Sequence, residues 1–182
     1  MIILHGGIEH FFLAPFNADI KSIAFSLSNI NRFTGHVGIY SVAQHSVLVA
    51  QQLPDNLKLS GLLHDAPEAY IGDVSSPLKR LLPDYKHIED FYHKEIDRQF
   101  GTDTRCNEVK SADLRMLVTE AKHFGLPLDR FPNMQTFNID IERWSPEFAM
   151  NAFLKMYAEL TGTVYTMFDS DGRRSIFCDV DE

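Results

Sequence analysis

The chain has 182 residues, 45% hydrophobic and 23% charged, with a formal net charge of −8. That length suits one domain with a substantial core, and no apolar run approaches the roughly 20 residues needed to span a bilayer. The acidic balance argues against sequence-independent binding to a nucleic-acid polymer, which needs a basic face to release counterions, but leaves a small phosphorylated ligand open, because a few cations or a metal can hold one.

The opening "MIILHGGIEHFFLAP" has no basic n-region or small-residue cleavage site, so no secretory signal is expected. It reads instead as a hairpin over about 1–15, with Gly6-Gly7 supplying positive φ and Pro15 closing the second strand. From Asn17 the period becomes helical: Ile20, Ile23, Leu27 and Ile30 recur at steps of three and four, with Asn17 or Asp19 as N-cap. "NRFTGHVGIY" interrupts. Ser41 and Gln44 then form a capping box for a helix running to Pro54. An apolar helix over 57–66 ends at Pro67, and Ser76-Pro77 reads as N-cap and N1 of a short helix carrying Lys79. A longer helix follows Pro83 as far as Gly101, another covers about 106–124, and Ser145-Pro146 opens the last, which reaches Leu160. The two cysteines, Cys106 and Cys178, form no CxxC pair, so neither a disulfide nor a thiolate zinc site is expected, and a reducing cytoplasm fits. The tail alternates and turns at Asp-Gly, which predicts a second hairpin over about 163–180. The expectation is an all-α fold. It is a single domain over 1–182, a compact bundle of six or seven helices over about 17–160 with a short β-hairpin at each end.

Several polar residues fall on apolar helix faces. His45 shares a face with Val42, Leu48, Val49 and Gln52, and Asp113 with Val109, Met116, Leu117 and Glu120. His64-Asp65 caps the hydrophobic run "LSGLLHDA". Any one of these could be a hydrogen-bonded core residue. Together, two inward carboxylates repel unless a cation lies between them, and two imidazoles with two carboxylates make a mixed N/O metal site with positions open for water and substrate. His36, between two glycines in "TGHVG", is read as a phosphate contact, with plain solvent exposure as the alternative. Glu120 is read as a hydrogen-bond partner rather than a ligand. His5, His10, His87, His93 and His123 fit surface or hairpin positions. Trp144, Phe148, Phe153 and Tyr157 read as core.

The segments "NRFTGH…YSVAQHSVLVA", "LLHDAPEAYIGDVSSPLK" and "ADLRMLVTEAKHF" resemble the HD-domain metal-dependent phosphohydrolases, over about residues 17–160. Within that superfamily they are most similar to the bacterial HD 5′-deoxynucleotidases and the phage dATP triphosphohydrolases. The resemblance implies an HD-domain helical bundle with His45, His64, Asp65 and Asp113 as metal ligands. It also implies Glu68 as the acid that handles a proton on water or leaving oxygen, Asp73 as a second active-site carboxylate, and Arg32 and Lys79 as phosphate-holding cations. Where the bacterial nucleotidases often carry Trp after that arginine, this chain has Phe33.

The implied activity is metal-dependent hydrolysis of deoxynucleotides, foremost dATP to deoxyadenosine and triphosphate. A 5′-deoxynucleotidase releasing phosphate from dNMPs, or a non-catalytic nucleotide sensor, are the alternatives. The expected cofactor is a divalent transition metal (zinc, cobalt or manganese), with room for a second cation brought by a triphosphate. The expected partners are a deoxynucleotide and further copies of the chain, without nucleic-acid polymer or membrane, in a cytoplasm (the host's, if phage-encoded).

Overall fold

A computed structural model describes residues 1–129 and 133–163, together with the backbone of 165–168 and 174–177. Strands β1 (Ile2–Ile3) and β2 (Glu9–His10) pair antiparallel, Ile2 against His10. Gly6 and Gly7 make the turn at φ 81° and 77°, a region that costs a residue with a Cβ. The strands are shorter than expected: the second ends at His10, before Pro15.

Helix α1 (Ile20–Asn29) begins at Asp19, whose carboxylate accepts from the Ser22 amide at 2.8 Å. A 3₁₀ turn (Arg32–Gly35) follows. An isolated bridge between Asn31 and Ser41 closes the loop that contains it, and the Arg32 amide donates to the Tyr40 carbonyl at 2.9 Å. Phe33 and Thr34 both sit at φ 54°, in the left-handed region, which two consecutive non-glycine residues occupy only when their surroundings impose it.

Helix α2 (Val42–Gln51) is capped by the Ser41 hydroxyl, which accepts from the Gln44 amide. The reciprocal half of the expected capping box is not made. The Gln44 side chain instead donates to the Glu142 carbonyl at 2.5 Å and accepts from the Trp144 amide at 3.1 Å, tying the approach to the last helix onto α2. Residues Val42 through Ala50 are all buried, as expected of a helix packed on every side.

Helix α3 (Asp55–Leu62) gives way to tight turns and the short α4 (Glu68–Ile71), so the chain bends at the His64-Asp65 step. The short α5 (Ser76–Lys79) has Ser75 at its N-cap position, one residue before the expected cap and without a side-chain capping bond. It leads to α6 (Pro83–Phe100), ended by left-handed Gly101. Then come α7 (Asn107–His123) and α8 (Pro146–Thr161), the latter capped by Ser145. Strands β3 (Tyr165–Phe168) and β4 (Arg174–Phe177) pair antiparallel. Their Asp171-Gly172 turn and Cys178 lie outside the described residues. The architecture is thus mostly helical, with a small β-hairpin at each end.

Helix α2 packs against α1, α3, α7 and α8. One core cluster joins Ile23, Leu27, Val47, Leu62, Tyr92 and Phe153. A second, around Tyr40, Val49, Val109 and Met116, sits between α2 and α7. Full burial of such a side chain contributes about 1.5–3 kcal/mol. Two expectations need correction. His93 is buried in a helix rather than at a surface or hairpin position, while His10 stands in the hairpin as expected but is buried there. His10 Nε2 lies 2.6 Å from the Tyr92 hydroxyl in an aromatic box with Phe16 and Tyr70, and His93 Nδ1 lies 3.0 Å from Thr104 Oγ1. Phe148 is 56% exposed: it stands in the first turn of α8, beyond the reach of the core.

Candidate metal centre

The centre forms where α2, the bend after α3, and α7 meet. His45 Nε2 lies 3.0 Å from Asp113 Oδ1 and 3.8 Å from Asp65 Oδ2. His64 Nε2 lies 3.3 Å from Asp65 Oδ2 and 3.7 Å from Asp113 Oδ1. The ligand atoms of His45, His64 and Asp65 all fall within 4.8 Å of one another, so these three can hold a metal ion. Asp113, whose side chain is 41% exposed, reaches both imidazoles from the open side.

Each histidine is oriented from behind. His64 Nδ1 donates to the Gly61 carbonyl at 2.7 Å, which turns Nε2 toward the carboxylates. Nε2 is buried and has no hydrogen-bond partner, a costly state for a polar atom unless something else meets it. His45 Nδ1 lies 2.5 Å from Glu120 Oε1. Glu120 is fully buried and also accepts from Tyr40 Oη at 2.7 Å and Arg32 Nε at 3.1 Å. These are the outer contacts that fix the tautomer of a ligating imidazole.

The electrostatics are those of a cluster short of one cation. Burial and the Arg32 guanidinium oppose protonation of His45, yet Glu120 and Asp113 outweigh them and its pKa is raised. Burial likewise opposes a charge on His64, but Asp65 and Asp113 raise it well above the ordinary value. Burial pushes Asp113 up, and the adjoining imidazoles of His45 and His64 pull it well below the ordinary range; Asp65 is lowered by His64 against the same burial. The carboxylates that raise the two imidazoles are the same groups that would attract a divalent cation, and metal would compete with protons for Nε2.

A cavity of about 860 Å³ opens on this centre, lined among others by Arg32, Asp65, Glu68, Asp73, Lys79 and Asp113. Glu68, on the first turn of α4, is buried and its Oε2 has no hydrogen-bond partner. Burial, then the charges of Asp65 and Asp73, raise its pKa well above the ordinary value. Asp73 is raised too, mainly by burial. Lys79 Nζ is held by Glu89 Oε1 at 2.5 Å and lies 3.8 Å from Glu68 Oε1. Arg32 pairs with Glu120 and lies 3.7 Å from Asp65 Oδ2.

The structure therefore brings together eight of the nine predicted site residues, as lining of the cavity or as the imidazoles behind it. The ninth, His36, is exposed and does not line the cavity; its amide serves to close the 3₁₀ turn on the Phe33 carbonyl. Tyr40 and Glu89 are participants the sequence reading missed. Tyr40 reaches Glu120 across 80 residues, and Glu89 reaches Lys79 across 10, from a different helix; no local pattern marks either pair.

No protein-family model matches the chain. It is similar to YfdR, an uncharacterized protein of Escherichia coli (strain K12), at 40% identity over 165 residues, which is 84% of this chain and 92% of YfdR. A second likeness, to an uncharacterized protein of Rhodobacter capsulatus, is 32% identical over 98 residues, about half of each chain (48% and 50%). With that identity over nearly all of YfdR, the chain belongs to the YfdR family.

Proposed function

We propose that the chain is a metal-dependent phosphohydrolase of the HD type that acts on deoxynucleotides, foremost dATP, releasing deoxyadenosine and triphosphate. The single observation that carries the reading is the buried, unpartnered His64 Nε2 beside His45, Asp65 and Asp113, the two carboxylates lining a cavity that also presents Arg32, Lys79 and Glu68. His45, His64, Asp65 and Asp113 would hold a divalent transition metal, for which zinc, cobalt and manganese suit the N/O donor set.

A divalent cation so held supplies Lewis acidity, lowering the pKa of water and drawing charge from a phosphoryl oxygen. The chain's own residues do the rest. Arg32 and Lys79 offset charge on the non-bridging oxygens of the α-phosphoryl group. Water adds to the α-phosphorus as its bond to O5′ breaks. Glu68, raised well above the ordinary carboxylate value by burial and then by the charges of Asp65 and Asp73, takes the proton from the water and returns one to O5′. Asp73 adds negative charge that raises the proton affinity of Glu68 and so its strength as a base. A second cation can accompany the triphosphate, held partly by its own oxygens. The exposed Ile3, Phe11 and Leu13 of the N-terminal segment support self-association, and a reducing, cytoplasmic setting suits the free Cys106.

The test is incubation of metal-replete protein with each dNTP, dNMP and NTP, with products resolved by anion exchange. Deoxyadenosine with intact triphosphate from dATP is the expected result. Orthophosphate from monophosphates alone would make the chain a 5′-deoxynucleotidase. No turnover with any metal would leave a nucleotide sensor.

A further inference from the structure

Three cations line the 860 Å³ cavity: Arg32, Lys79 and Arg80. They are not equivalent. Arg32 is neutralised by Glu120 and Lys79 by Glu89, and neither of those acids lines the cavity. Each of these cations therefore reaches a ligand already paired from behind, suited to one phosphoryl group. Arg80 differs. It stands at the C-terminal end of α5, exposed, and forms no ion pair among the described residues.

The rest of the lining explains why a free guanidinium at this place matters. Four carboxylates, Asp65, Glu68, Asp73 and Asp113, face the same space. A metal offsets two of them. Arg32 and Lys79 have donors for one phosphoryl group but are already charge-paired, whereas a polyphosphate brings further charge that an unpaired guanidinium at the same cavity can meet. The volume lies toward the upper end of the roughly 300–1,000 Å³ typical of ligand pockets, which leaves room for phosphates beyond the one at the centre. A guanidinium at that outer position offers a fork of donors that matches phosphate oxygens.

We propose that Arg80 binds the distal phosphates of a polyphosphate substrate, so that this cavity takes a nucleoside triphosphate in preference to a monophosphate. The inference rests on the reading of the cavity as a phosphate site. It goes beyond that reading in assigning the length of the phosphate chain to one residue.

The experiment is calorimetric titration of inorganic triphosphate and of orthophosphate into the full chain, as wild type, Arg80→Ala and Arg80→Lys. Arg80 is exposed and its side chain bonds nothing described, so these variants retain the fold. The expected result is a loss of about tenfold in triphosphate affinity for Arg80→Ala, less than about twofold for orthophosphate, and partial recovery in Arg80→Lys. Equal losses for both anions, no loss for either, or no triphosphate binding by wild type would overturn the proposal. Absence of dATP turnover in wild type, with the selective loss of triphosphate binding intact, would remove the hydrolase reading and leave Arg80 as a polyphosphate contact.

Discussion

His45 Nδ1 and Glu120 Oε1 lie 2.5 Å apart, with both side chains wholly buried. The bond makes Nδ1 the donor and turns Nε2 toward Asp65 and Asp113. The same carboxylate accepts from Tyr40 and from Arg32, so one buried acid positions both the His45 imidazole and the Arg32 guanidinium. Glu120→Gln keeps the shape but loses the charge. Metal affinity should fall by about 10–100-fold, measured by competition with a chromophoric chelator. Stability should fall by about 3 kcal/mol, because the Arg32 guanidinium loses its buried counter-ion, and urea unfolding would read that loss.

Glu68 belongs to the cavity but not to the three-residue metal-holding group. Glu68→Gln should lower kcat by about 10²–10⁴-fold while chelator competition shows metal affinity changed only slightly. Equal loss of both would make Glu68 a ligand rather than a proton carrier.

A different prediction concerns acid stability. Burial, then the Arg105 charge, push His93 down to about 4. Its folded pKa is below the unfolded value near 6.5, so between those values the unfolded chain binds more protons and folding weakens as pH falls. The contribution is fully present above about pH 6.5 and has cost about 3 kcal/mol by pH 4. His45 and His64 are raised and work in the opposite sense, losing stabilisation as pH rises. Only the difference between wild type and variant isolates His93. His93→Gln should therefore show a shallower drop in urea midpoint from pH 7 to pH 5 than wild type does.

Gly61 offers a steric test. A Cβ built there would meet Leu53 Cδ1 at 2.3 Å and Ala50 Cα at 3.2 Å, where α3 crosses α2. The helix gains about 1 kcal/mol from Gly→Ala, but backbone on α2 cannot yield as a side chain can, and overpacking costs about 1–3 kcal/mol. Gly61→Ala should lower stability on balance. It should also weaken metal binding, because the Gly61 carbonyl orients His64.

What could be read in advance follows the range of the interaction. Asp19, Ser41 and Ser145 cap their helices as local pattern predicts, because the N-cap bond spans three residues. Periodicity also placed His45 and Asp113 on the faces where they meet. It could not show that Gln44 turns away from its own helix to Glu142 and Trp144, or that Lys79 is held by Glu89. Nor could it bury His10, which enters the core only because the N-terminal hairpin folds over Tyr70 and Tyr92. His36 misled in the other direction: flanking glycines promised a mobile ligand contact, and the Asn31–Ser41 bridge instead fixes the loop with that side chain outward.

The central claim is that the His45, His64, Asp65 and Asp113 cluster holds a metal that phosphoryl hydrolysis requires. Its most direct test is stepwise addition of Co²⁺ to metal-free protein, following the cobalt absorption band and triphosphate release from dATP in the same samples, for wild type and Asp65→Ala. Wild type should gain band and activity in proportion, saturating together at one equivalent, and Asp65→Ala should gain neither. Co²⁺ binding that survives in Asp65→Ala, or hydrolysis that does not follow the band, would contradict the claim.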